Sequence, residues 1–86
     1  MVFFIYTKGV EIGGDYMVPR QEIARRLVFL RGDTPRIDVA KATDISVSAL
    51  AMYESGQRIP RDEIKVRLAQ YYGKTVETIF FAPSYT

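Results

Sequence analysis

"RIDVAKATDISVSALAMYESGQRIPR", residues 36–61, is the stretch from which the rest of the chain can be read. It predicts two short helices around a tight turn. The first runs to Thr43, with Thr34 as its cap, Pro35 in its first turn, and Ile37, Val39 and Ala40 as its apolar positions. Asp44 breaks the run, and Asp44-Ile45 makes the turn. Ser46 then caps a second helix that reaches about Ser55 and is stopped by Gly56. Ala40 is small where the two helices would cross closely. Leu50 and Tyr53 point back toward a core, so Val47, Ser48, Ala51 and Met52 share the outward face, because positions three and four apart lie together. That outward face is mostly apolar, whereas the loop behind it is basic from Gln57 to Arg61.

Helical patterning extends on both sides. Upstream, Pro19 suits a first helical position, and Ile23, Leu27 and Leu30 recur at helical spacing beside Ala24 until Gly32-Asp33 ends the run. Downstream, a helix starts after Pro60 with Asp62 and Glu63 in its first turn. Ile64, Leu68 and Tyr71 or Tyr72 form its inner face, and Gly73 closes it. Thr75 opens a last short helix with Val76, Ile79 and Phe80 inward. Five short helices over residues 17–86 predict a compact all-α domain.

Residues 1–16, "MVFFIYTKGVEIGGDY", differ: the β-branched and aromatic run Val2–Thr7 and the breaks at Lys8-Gly9 and Gly13-Gly14 read as a strand or hairpin extension. Three readings of it stand side by side: a strand packed on the helices, a strand paired with its copy in a dimer, or a segment upstream of a functional start at Met17. A covered strand is favoured, because an exposed apolar edge invites aggregation, and of the two ways to cover it a dimer contact is preferred to packing on its own helices.

Composition narrows the chemistry. With no cysteine and no histidine in 86 residues, thiolate metal sites, disulfides and histidine-based catalysis are excluded, and the ten carboxylates are scattered. We therefore expect no catalytic residues, no metal and no cofactor. The net charge is only +2, but eight of the twelve basic residues are arginine, the better fork for phosphate. No apolar run approaches the roughly 20 residues of a membrane span, and "MVFFIY" has neither the basic leader nor the length of a signal segment. A soluble, cytoplasmic protein is expected.

The spacing of residues 36–55 matches a helix-turn-helix, whose second helix enters the DNA major groove by its N-terminal end. From about Arg20 to Phe81, about 60 of its 86 residues, the chain resembles the phage-repressor (Cro/CI, XRE-type) family of helix-turn-helix domains. The resemblance is carried by "DISVSALAMYESGQRIPRDEIKVRLAQYYGKTVETIFF", with Tyr53-Glu54, Gly56, Arg58, Pro60 and the terminal Val76-Glu77 and Ile79-Phe80-Phe81 in register. It implies a five-helix, lambda-repressor-like fold and a DNA-binding repressor, usually dimeric. It also implies base contacts at Val47, Ser48 and Met52, and phosphate contacts at Arg36, Ser46, Gly56, Gln57, Arg58 and Arg61. Two positions depart from the family pattern. The usual turn glycine is Asp44, expected in the left-handed region at a cost of about 1 kcal/mol relative to Gly. The usual glutamine at the start of the first helix of the motif is Arg36, whose fork suits a phosphate or a guanine edge.

Arg36 and Arg61 each fall near a helix N-terminus, where a cation is disfavoured by roughly 0.3–1 kcal/mol unless an anion docks beside it. A phosphate is the expected anion; the competing reading pairs Arg36 with Asp33 or Asp38, and Arg61 with Asp62. Glu54 is read as a structural partner for a basic residue, Arg25, Arg26 and Arg31 as a solvated face, and the aromatic pairs at 71–72 and 80–81 as core and dimer surface. Together these predict a homodimeric regulator, acting as a repressor, on a pseudo-palindromic operator in double-stranded DNA, with recognition helices about 34 Å apart. Affinity is expected to rest on the arginines and on loop amides at phosphates. The alternatives are an antitoxin of the same fold that binds a small protein partner, and a protein-interaction module that has lost DNA binding.

Overall fold

The computed structural model of the protein describes residues 18–83, and every described element is helical. In chain order these are α1 (Arg20–Arg31), α2 (Arg36–Thr43), α3 (Val47–Ser55), α4 (Asp62–Tyr72) and α5 (Val76–Phe80). The five-helix, all-α domain expected from the patterning is the fold observed. The strand or hairpin expected at residues 1–16 lies outside the described residues.

Local chemistry explains most of the boundaries. Ser46 Oγ accepts from the Ala49 amide at 3.1 Å, and Thr75 Oγ1 from the Thr78 amide at 3.0 Å, so each satisfies an orphan donor at a helix start. Three helices end on one device: a left-handed residue followed by an amide that reaches back five positions. Asp44, Gly56 and Gly73 take that conformation, and the closing bonds run from Ile45 N to Ala40 O, Gln57 N to Met52 O and Lys74 N to Ala69 O.

Three expectations need correction, and one open choice is decided. Thr34 does not cap α2, because the helix starts one residue later and Pro35 occupies the flanking position with no side-chain cap. Pro19 likewise precedes α1 rather than opening it, although its carbonyl accepts from the Glu22 and Ile23 amides. Ile37 is half-exposed, since Val39 and Ala40 already fill the buried stripe of α2. Between the two tyrosines, Tyr72 packs against the core while Tyr71 stays exposed.

The core is built from Ile23 and Leu27 of α1, Val39 of α2, Leu50 of α3, Leu68 of α4, and Ile79 and Phe80 of α5. Each such side chain contributes roughly 1.5–3 kcal/mol through removal from water. α1 lies across α3 and also meets α5, while α4 bridges α2 and α5. Only five residues long, α5 is tied down by more than its apolar face. Arg26 donates to the carbonyls of Thr78 (3.0 Å) and Ile79 (3.1 Å), Val18 N donates to Phe80 O (3.2 Å), and the ammonium of Lys65 sits 5.9 and 5.3 Å from the ring centres of Phe80 and Phe81. Arg26 and Arg31 are therefore structural ties, with Arg25 left exposed and paired to Glu22.

Candidate nucleic-acid interface

α3 is anchored from behind and bare in front. Leu50, Tyr53 and Glu54 are buried, while Val47, Ser48 and Met52 stand exposed together at its N-terminal and outer face. Val47 keeps 40% and Met52 37% of its surface in solvent, a large apolar exposure for a helix otherwise packed on two others. Among the described residues, the amides of Val47 and Ser48 have no hydrogen-bond partner, so the α3 N-terminus presents donors as well as apolar contacts. Ser46, which caps this end, is exposed.

The turn that aims α3 is as expected at its first residue. Asp44 stands at φ 58°, ψ 43°, the left-handed region that the missing glycine would have entered freely. Its carbonyl accepts from Arg67 Nη1 at 3.3 Å, which braces the turn from α4.

The loop after α3 differs from expectation in which groups it offers. The amides of Gly56, Gln57 and Arg58 all donate to the Met52 carbonyl, with Gly56 also reaching Tyr53 O. These amides close the helix, and Gly56 is itself buried, at φ 81°, where a Cβ would sit 2.8 Å from Gln21 Oε1. Gly56 therefore shapes the loop, and what the loop turns outward is the side chains of Gln57 and Arg58, both exposed. The Arg58 side chain has no hydrogen-bond or ion-pair partner among the described residues. Arg61 flanks α4, and its side chain is 81% exposed, with only a long 3.6 Å contact to Glu63 among the described residues. Sequence reasoning did not bring Arg20 here, yet its guanidinium donates to Gln57 O at 3.4 Å. Those residues are 37 positions apart, and only the crossing of α1 over α3 joins them.

Arg36 also has a partner that its neighbours in sequence did not suggest. Its Nε donates to Glu54 Oε1 at 2.9 Å, and Arg31 Nε donates to both oxygens of the same carboxylate, at 3.1 and 2.8 Å. Glu54 is thus the structural carboxylate expected, pinning the end of α3 to α1 and α2 at once. The anion that offsets a cation at the α2 N-terminus is the protein's own, in place of Asp33 or Asp38. The Arg31 pKa is raised further, chiefly by its hydrogen bonds to Glu54. Beside this network the Tyr72 hydroxyl is buried with no partner among the described residues. Burial, and then the Glu54 charge, pushes its pKa up to about 12.

Among the described residues no three histidine, cysteine or carboxylate groups gather as a metal site would require, and no helix is long and apolar enough to cross a membrane. A family model described as helix-turn-helix matches residues 23–79, about two thirds of the chain. No curated protein and no solved structure matches it.

Proposed function

The chain belongs to the XRE-type, Cro/CI-like helix-turn-helix family of DNA-binding regulators, and from that premise we propose that it is a sequence-specific transcriptional repressor. It binds a pseudo-palindromic operator in double-stranded DNA as a homodimer, through the module at residues 17–86. Val47, Ser48 and Met52 meet base edges. Val47 and Met52 pack on thymine methyls, and Ser48 donates to or accepts from either kind of base edge. Ser46, Arg36, Gln57, Arg58 and Arg61 hold the phosphates, and Gly56 serves by shaping the loop that carries two of them.

The observation that carries this reading is the exposed tip of α3, together with exposed arginines at the starts of α2 and α4 and in the loop that trails α3. A reader with only two apolar contacts and one hydroxyl discriminates weakly, so phosphate contacts and DNA shape supply much of the selectivity. The test is selection from a library of random duplexes at two salt concentrations. An enriched, two-fold-related motif is expected, with affinity falling steeply as salt rises. No enriched motif together with a flat salt dependence would sink the proposal.

A second reading, in which a protein partner is the main ligand, is favoured by Phe29. It stands 82% exposed on α1, next to the half-exposed Val28, an apolar pair on the face turned away from the core. Sedimentation of the protein alone and with the selected operator separates the two: a dimer on DNA supports the repressor, and a monomer that selects no duplex supports the partner role.

A further inference from the structure

Glu54 is an acid placed beside a surface meant for an anion, and its geometry suggests why. Its carboxylate is 1% exposed and accepts from two guanidinium groups that differ in what they have left to give. Arg31 is committed to the protein: it is 17% exposed, its Nε serves Glu54, and its Nη1 donates to Thr34 O at 3.0 Å. Arg36 gives Glu54 its Nε alone. Its side chain is 42% exposed, and its two terminal nitrogens have no acceptor among the described residues. Two guanidinium groups and one carboxylate leave one net positive charge, and it emerges where the uncommitted donors are, at the outer end of Arg36.

An arginine held by its Nε has already lost much of the rotamer freedom that a phosphate would otherwise have to take away. A planar fork fixed at its inner nitrogen also presents its outer pair in one direction. We propose, resting on the DNA-binding reading above, that Glu54 is a positioning residue of the phosphate clamp: it fixes Arg36 so that the two terminal nitrogens point at one backbone phosphate. Arg31 holds Glu54 in place and cancels its charge. The carboxylate acts through Arg36 and touches no DNA itself.

Total affinity is a poor readout, because removing a carboxylate also removes repulsion toward DNA. The informative quantity is the penalty for replacing a single phosphate of the selected operator with an uncharged methylphosphonate. The phosphate bound by Arg36 is the one whose replacement weakens the intact protein by about tenfold or more but leaves Arg36→Ala unaffected. In a folded Glu54→Gln variant that penalty is expected to fall to within about twofold; a full penalty retained there overturns the proposal. The unaltered protein supplies a second measurement that does not depend on the variant folding. Without DNA, the Arg36 Nε proton should exchange with water about tenfold or more slowly than that of Arg58, and equal rates overturn the proposal. If an operator is selected but no phosphate depends on Arg36, this inference fails alone; if no operator is selected, the DNA-binding reading fails first.

Discussion

Asp44 holds a left-handed backbone with an exposed side chain that makes no hydrogen bond among the described residues. Asp44→Gly should therefore raise stability by about 1 kcal/mol, read as a higher urea midpoint at unchanged slope, since it relieves the Cβ strain and loses no contact. Tyr72 gives the opposite kind of prediction, one about pH. Its folded pKa of about 12 lies above the ordinary 10.0, so its contribution is fully present below pH 10 and is lost as pH rises toward 12. Tyr72→Phe should remove that alkaline loss. It should also stabilise the neutral protein by about 1 kcal/mol, because a buried hydroxyl without a partner among the described residues is deleted, and denaturant melts at pH 7 and 11 would show both effects. At this scale legibility followed sequence distance. The left-handed Asp44 was readable because the constraint is local to one turn, whereas the partner of Arg36 lies 18 positions away and only the packing of α2 on α3 reveals it.

Among the elements, α3 and its loop divide the work of recognition under the proposed roles. Ser46→Ala removes the oxygen that satisfies the Ala49 amide and should cost about 1 kcal/mol of stability by thermal melt. The division itself predicts that Met52→Ala changes preference at particular base pairs, whereas Arg58→Ala weakens all sequences alike and lowers the salt slope by about 1. Titrations of matched and mismatched duplexes over a salt series distinguish these outcomes, and a Met52→Ala protein with unchanged preference would displace α3 from the groove. The start and stop of α3, the stop of α4 and the start of α5 were legible because Ser46, Gly56, Gly73 and Thr75 act on their own backbone neighbours. Thr34 misled because α2 starts one residue later than a Thr34 cap requires, which leaves Pro35, with no side-chain acceptor, in the flanking position. Gly56 misled differently: its place in the motif is visible in sequence, but the destination of its amide is not.

For the molecule as a whole, the weak point is the end of the chain's helical order. Phe80 is fully buried and gathers α1, α4 and α5 around it, so Phe80→Ala should cost about 3–5 kcal/mol. In a domain this small that approaches the whole stability, and loss of the cooperative melt by circular dichroism at 25 °C is the expected result. The all-α architecture was readable because each helix carries its own apolar spacing; which helix crosses which was not, since no local pattern encodes it. One consequence reaches into how such a protein changes over generations. Three amides of the clamp loop converge on the backbone carbonyl of Met52, and a carbonyl is the same whatever side chain the residue bears. Under the proposed roles, mutation at position 52 alters which operator is preferred while the loop keeps its grip, so new target sequences are reachable by single substitutions that leave the scaffold untouched.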